Sequence, residues 1–168
     1  IKGDSDHSKL IEMLEVLNDE TSSMEDELFA TYFDKENIAY WMAFQLLTGN
    51  TDTQNRNVYL YSPQNSSKWY LWDWDNDGML RRREREIIKF SDSESWERGV
   101  SNYWGNVLFR RCLQTQSYRD MLDAAMKELY AYMNKTRIQS MLEHYRSVTE
   151  TYVWQMPDRM YVPITHAE

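Results

Sequence analysis

The chain has 168 residues, 42% hydrophobic and 14% aromatic, so it can bury the core of one domain. Its net charge of −8 argues against a general nucleic-acid binder, which would carry a basic face, and is compatible with a basic protein partner. The single cysteine, Cys112, excludes an internal disulfide and a cysteine-based metal site. No apolar run is long enough to span a membrane. Because the first residue is Ile1 rather than Met, we interpret the chain as a fragment or a processed product.

The chain opens with two stretches of helical character. Over residues 5–18, apolar side chains recur at helical spacing. These positions are Leu10, Ile11, Leu14 and Leu17. Ser22 and Glu25 then have the spacing of a capping box, which predicts a second, short helix that includes Leu28 and Phe29.

A longer helix is predicted over residues 35–47. Asp34 is a suitable N-cap for it, and Gly49 ends it in the manner of a C-cap. The positions that repeat at intervals of three and four are Ile38, Trp41, Met42, Gln45 and Leu46. This helix therefore delivers the chain directly to Asn50.

Two short runs of aromatic and β-branched residues, 58–61 and 69–72, predict a β-hairpin. Asp52 and Asn57 precede the first run, and Asp73 and Asp75 follow the second. A hairpin brings these two groups back toward each other. Carboxylate and amide oxygens are hard ligands, suited to Mg²⁺, Mn²⁺ or Ca²⁺. The sequence therefore predicts a cation site at the open end of the hairpin.

The second half of the chain is predicted to be helical. An arginine-rich run at 81–85 follows the hairpin; it could contact phosphate or form a solvated helix face. Ser117 and Asn134 are good N-caps, which divide the remainder into helices over about 103–115, 118–132 and 135–153. Two apolar stripes are expected in the core. They consist of Leu122, Ala125, Met126, Leu129 and Met133, and of Ile138, Met141, Leu142 and Tyr145. The predicted fold class is mainly α, with one small hairpin.

One interpretation of the acidic segment is a calcium loop. The alternating carboxylates, the glycine after them and a glutamate five residues later satisfy the EF-hand pattern. The residues concerned are Asp73, Asp75, Asp77, Gly78 and Glu84. An EF-hand loop follows a helix, however, and the residues before this one have the character of a strand. Under this alternative the protein would be a calcium-stabilised binding or adhesion module.

The other interpretation is phosphoryl transfer. Asp52 and Asn57 are separated by four residues, as are the catalytic aspartate and the metal-binding asparagine of protein kinases. In kinases a short hairpin follows, and then an aspartate that binds Mg²⁺. The same order occurs here, with Asp73 and Asp75 after the hairpin. The sequence leaves open which of these two aspartates is the main ligand.

The chain also contains motifs that occur together in one family. They are Phe33-Asp34, the helix around Tyr40-Trp41, Asn50-Thr51-Asp52, Asn57-Val58-Tyr59-Leu60-Tyr61, Lys68-Trp69-Tyr70-Leu71-Trp72-Asp73-Trp74-Asp75, the run 108–118 and the helices to about residue 158. In these motifs the chain resembles the CotH kinases, atypical kinases named after spore coat protein H. The resemblance covers most of the chain.

The resemblance implies a kinase-like fold that uses ATP with Mg²⁺ or Mn²⁺ to phosphorylate serine in basic or serine-rich proteins of a spore coat or cell surface. Asp52 would be the catalytic residue together with Asn57. Asn50 would shape the loop and bind the cofactor together with Asn57 and Asp73. The metal would be held by Asn57 with Asp73 or Asp75.

The sequence departs from the family pattern in two ways. Where an aromatic residue and a glycine usually follow the second aspartate, this chain has Asn76-Asp77-Gly78. The nucleotide-covering N-terminal part is missing, and with only five glycines nothing resembles a phosphate loop. We therefore interpret residues 1–168 as a single domain, the C-terminal lobe, whose natural partner is the missing lobe of the same protein. We expect this fragment to be inactive and to bind ATP weakly or not at all; a catalytically dead scaffold is a further alternative.

Overall fold

The computed structural model describes residues 6–50, 53, 56–79 and 101–161. Its main elements are α1 (Ser8–Asn18), a π-helix (Met24–Tyr32), α2 (Lys35–Leu47), β1 (Tyr59–Tyr61), β2 (Tyr70–Trp72), α3 (Val107–Gln114), α4 (Gln116–Tyr132) and α5 (Lys135–Val153). Short 3₁₀ turns cover Asn76–Gly78, Ser101–Gly105 and Asp158–Met160. The predicted mainly helical class with one small hairpin is confirmed. The backbone contacts divide the chain into two compact units, residues 1–129 and 130–168.

The second helix of the chain is a π-helix, and its cap lies one residue later than predicted. Ser23, not Ser22, is the N-cap: its hydroxyl accepts a 3.1 Å hydrogen bond from the backbone N–H of Asp26. The hydroxyl of Ser22 instead donates to the carbonyl of Val16, 2.8 Å away. Adjacent serines offer the same chemistry, so the sequence pattern alone could not choose between them.

Helix α2 has the bounds and the caps that the sequence predicts. The carboxylate of Asp34 accepts a 2.8 Å hydrogen bond from the backbone N–H of Asn37 and so caps the first turn. Ile38, Trp41 and Met42 on its inner face are buried. The helix therefore runs through the centre of the first unit and presents its last turn to the hairpin.

Aromatic rings form the centre of the core. Trp41 stacks on Phe109 with ring centroids 5.5 Å apart, and Tyr103 meets Phe109 edge-on at 5.2 Å. Helix α1 contributes Met13 and Leu17 to this core. The other predicted apolar positions of α1 are exposed, because the buried face of the helix is rotated away from them toward Met13. They are Leu10, Ile11 and Leu14.

The hairpin is antiparallel, with Leu60 opposite Leu71, and side chains from the helices attach it to the first unit. Asn37 of α2 accepts from the backbone N–H of Leu71 at 2.7 Å and donates to its carbonyl at 3.3 Å, as a neighbouring strand would. Lys68 donates from Nζ to the carbonyls of Phe29 and, at 3.0 Å, Phe33. These contacts determine where the residues after β2 lie.

The last two long helices differ in burial. In α4 the expected core positions Leu122, Ala125 and Met126 are buried. Helix α4 begins at Gln116, and the predicted cap Ser117 lies inside it, where its hydroxyl contacts Glu25.

In α5 the predicted cap Asn134 is confirmed, since its side chain accepts from the backbone N–H of Arg137 at 3.0 Å. The predicted burial of the α5 stripe is wrong, because no residue of α5 is buried. An amphipathic pattern indicates a face that favours burial but does not specify what covers it.

Candidate functional site

The end of α2 fixes the first part of the candidate site. Gly49 adopts a left-handed backbone, with φ +64°, and its N–H donates to the carbonyl of Leu46 at 3.2 Å. The N–H of Asn50 donates to the carbonyl of Gln45 at 3.0 Å. These two bonds define a Schellman motif, in which glycine is preferred because it has no Cβ atom to clash. The motif turns the chain sharply and leaves Asn50 buried against the helix end.

The side chains at this helix end form a network with the turn after β2. The amide of Asn50 donates to Oε1 of Gln45 at 2.9 Å and to Oδ1 of Asn76 at 3.2 Å. The amide of Gln45 donates to Oδ1 of Asp73 at 3.1 Å and to Oδ1 of Asn76 at 3.4 Å. Residues from before and after the hairpin are thus held together by buried amides.

The carboxyl group of Asp73 is less solvated than that of a free aspartate. Partial burial raises the pKa of Asp73 above its usual range, and the hydrogen bond from Gln45 acts in the opposite direction. The residue keeps an exposed side all the same. A carboxylate in such a position gains from a nearby cation, which would compensate for the water that it has lost.

The second part of the site is a pair of residues across the hairpin. Nδ2 of Asn57 donates to Oδ2 of Asp75 at 3.2 Å, although the two are 18 positions apart in the chain. Among the described residues they are the two non-glycine residues with a left-handed backbone, φ 57° for Asn57 and φ 53° for Asp75. Such conformations cost about 1–3 kcal/mol and cluster at functional sites. Here they bring an amide and a carboxylate together.

The structure separates the predicted site residues into two neighbouring groups. Asn57 lies with Asp75, whereas Asp73 lies with Asn50 through Gln45. The predicted catalytic residue Asp52, Glu84 of the calcium alternative and the arginine run 81–85 all lie outside the described residues.

The calcium alternative lacks its expected surroundings in the part of the chain that the structure describes. The residues before Asp73 form strand β2, as predicted, rather than the helix that precedes an EF-hand loop. Within residues 6–50, 53, 56–79 and 101–161, no three carboxylate, histidine or cysteine side chains are grouped as a cation would require. The oxygen donors near the hairpin are therefore a mixture of carboxylates and amides.

Sequence reasoning missed three residues that build the site. Gln45 was assigned to the inner stripe of α2, and a polar residue in an otherwise apolar stripe was the available signal. Asn76 was noted only as a departure from the family pattern. Asn37, which binds the backbone of Leu71, lies inside a helix and carries no local signal at all.

A face of exposed aromatic rings lies on the hairpin beside these residues. Tyr59 and Trp74 have ring centroids 5.1 Å apart, and Tyr61 and Trp72 have centroids 6.5 Å apart. All four side chains are at least half exposed. Exposed aromatic groups of this size commonly mark binding surfaces.

Comparison with known proteins gives the identity of the chain at the level of a family. No helix in the described residues is long and apolar enough to cross a membrane. No curated protein and no solved structure matches the chain. The family described as CotH kinase protein matches over residues 1–167, which indicates a kinase-like function in general. The chain, with its amide and carboxylate groups beside the hairpin, is therefore a member of the CotH kinase family.

Proposed function

We propose that the chain is the C-terminal lobe of an atypical protein kinase that transfers the γ-phosphate of ATP to serine in a basic or serine-rich protein. The observation that carries this proposal is the 3.2 Å hydrogen bond between Asn57 and Asp75 across the hairpin. In protein kinases an asparagine and an aspartate on either side of a short hairpin hold the metal ions that bridge the phosphates. Membership of the CotH kinase family supports a function of this class.

The donor set fits Mg²⁺ or Mn²⁺, because both prefer carboxylate and amide oxygens. Asn57 and Asp75 would hold the cation, and Asp73 stands beside them as the second candidate carboxylate. When bound, the cation neutralises charge on the phosphate oxygens. Asn50 and Gln45 lie behind these residues and are almost completely buried.

By family resemblance, Asp52 acts in the chemical step. Its carboxylate accepts the proton of the serine hydroxyl as a bond forms from the serine oxygen to the γ-phosphorus. The bond from that phosphorus to the β–γ bridging oxygen breaks, and ADP leaves. Phosphoryl transfer of this kind depends on positioning and charge neutralisation rather than on covalent catalysis by the protein.

Phosphorylation by the full-length protein tests the proposal. We expect Asp52→Ala and Asp75→Asn each to lower serine phosphorylation at least about a hundredfold while leaving the fold intact. Asp77→Asn and Glu84→Gln are the matched controls and should have little effect. If instead the wild-type protein binds a cation but phosphorylates nothing, and Asp77→Asn and Glu84→Gln abolish that cation binding, the calcium-loop alternative is supported. A wild-type protein without any kinase activity would support the scaffold alternative.

The proposal also includes a separate N-terminal lobe of the same protein that covers the nucleotide. The scarcity of glycine in this chain and the exposed aromatic face of the hairpin support it. We expect the 168-residue chain alone to show no micromolar affinity for ATP in calorimetry. A micromolar dissociation constant would contradict the requirement for a second lobe.

A further inference from the structure

Gln45 is a polar side chain that is almost completely buried, with 1% of its surface exposed, in the last turn of α2. Its amide nitrogen donates toward two residues that follow β2, Asp73 and Asn76, at 3.1 and 3.4 Å. Its amide oxygen accepts from Asn50 at 2.9 Å. Both polar atoms of this side chain therefore bond to residues of the candidate site.

We propose that Gln45 is a positioning residue for the cation pair, an inference that rests on the proposed function. Asp73 and Asn76, which Gln45 binds, lie on either side of Asp75 in the chain. Holding both residues fixes the backbone between them, where Asp75 adopts its left-handed conformation and meets Asn57. Gln45 thus acts on the cation site through the backbone of the turn rather than by direct contact.

Glutamine has the particular combination of groups that this position requires. One end of a single side chain must supply two donors and one acceptor, which an amide does. A glutamate would have no donor and would place a second negative charge against Asp73. An apolar side chain of the same length would leave the buried amide of Asn50 and the oxygen of Asn76 with fewer partners, which is costly at low dielectric.

A purely structural role for Gln45 predicts a different result from a positioning role, and Thr48 provides the matched control. Thr48 is also buried at the end of α2, but among the described residues its hydroxyl bonds to helix carbonyls, those of Phe44 at 2.8 Å and Gln45 at 3.4 Å. Thr48→Val therefore perturbs the same helix end without touching the site. Asp75→Asn serves as the control for the cation site itself.

The experiment measures Mn²⁺ binding to the 168-residue chain by electron paramagnetic resonance, together with the melting temperature. We expect Gln45→Met to weaken binding about tenfold to a hundredfold, as removal of groups that orient metal ligands typically does. Thr48→Val should lower the melting temperature to a similar degree and leave the affinity unchanged. Asn76→Ala, at a partly exposed position that does not endanger folding, should also weaken binding.

The outcomes separate the two proposals. If wild-type protein binds Mn²⁺ and Asp75→Asn does not, while Gln45→Met and Asn76→Ala both bind normally, the role of Gln45 is wrong and the cation site stands. Should Gln45→Met fail to fold, normal binding by Asn76→Ala alone overturns the inference. Wild-type protein that binds no Mn²⁺ at millimolar concentration contradicts the proposed function, and this inference with it.

Discussion

At the scale of single residues, the left-handed backbones of Asn57 and Asp75 are the clearest departure from local preference. Asparagine tolerates this region better than most residues, and aspartate less so. Both residues occupy it although glycine would fit without strain. The side chains must therefore contribute something that glycine lacks, namely the hydrogen bond from the amide of Asn57 to the carboxylate of Asp75.

The first prediction concerns Asp75→Gly. Glycine relieves the backbone strain, and its extra freedom in the unfolded chain costs about as much, so we expect the free energy of unfolding to stay within about 1 kcal/mol of wild type. Mn²⁺ binding should be lost. The control, Asp123→Gly inside α4, should cost about 1 kcal/mol, because glycine is a poorer helix former than aspartate and the ion pair with Lys127 is lost. Urea unfolding measures both. A larger loss for Asp75→Gly than for the control would mean that strain is not stored at Asp75.

A second prediction at this scale concerns Cys112, which is completely buried in the core. Burial raises the pKa of its thiol far above the usual range. Because the reactive species is the thiolate, we expect a disulfide reagent such as DTNB to react only on unfolding at pH 8. The native and urea-unfolded proteins provide the comparison. Rapid reaction of the native thiol would contradict the packing around Cys112.

The same raised pKa has a consequence for stability at alkaline pH. Above about pH 8.5, the ordinary thiol value, the unfolded chain releases a proton from Cys112 that the folded protein retains. The folded state then binds more protons than the unfolded state, so its stability falls as pH rises. Cys112→Ser does not ionise in this range and should flatten that part of the stability profile.

At the scale of elements, the hairpin is held by side-chain contacts with α2 and the π-helix region together with one backbone bridge, in which the N–H of Trp69 donates to the carbonyl of Tyr32 at 2.6 Å. Asn37 satisfies both backbone groups of Leu71, which is itself buried. We expect Asn37→Ala to lower the free energy of unfolding by about 2 kcal/mol, since it leaves a buried N–H and a buried carbonyl with one partner fewer. Asn65→Ala, at the exposed turn of the hairpin, should change it by less than about 0.5 kcal/mol. Equal effects in denaturant titrations would show that Asn37 does not anchor the hairpin.

The elements also show which features a sequence predicts. The caps Asp34, Gly49 and Asn134 were predicted correctly, because capping depends on residues within one turn of the helix end. The hairpin followed from its aromatic runs. Gln45 and Asn37 could not be assigned roles, because their partners lie about thirty positions away and only the folded chain brings them together.

The candidate site itself was predicted in composition but not in arrangement. Order along the chain indicated that Asn57 would meet an aspartate after the hairpin, and could not say which. The choice depends on the turn after β2, in which Asp73 accepts a hydrogen bond from Gln45 and Asp75 accepts one from Asn57. The two aspartates are two positions apart, and no local pattern encodes which of them takes which role.

At the scale of the whole molecule, the two units differ in how many helical residues are buried. Helix α2 has six buried residues, whereas α5 has none. The apolar side chains Met141, Leu142 and Tyr145 of α5 are about half exposed. Most helical stability in proteins comes from tertiary packing of an apolar face, which α5 lacks.

Hydrogen exchange tests this difference. In the chain alone we expect the amides of α5 to exchange at least about a hundredfold faster than those of α2, because local opening of α5 exposes no additional core. If the exposed apolar stripe of α5 is covered, we expect its amides to exchange more slowly than in the chain alone. Equal protection of α5 and α2 at low protein concentration would show that the stripe is buried in solution.

Trp74 stands between the two aspartates of the candidate site, with its ring close to Tyr59 and half exposed. Its emission therefore depends on the polarity and the charge immediately around Asp73 and Asp75, and Tyr59 is near enough to transfer excitation to it. The protein thus contains its own optical reporter. Subtracting the spectrum of Trp74→Phe isolates this signal from the other six tryptophans, so events at the hairpin can be followed in real time without a label.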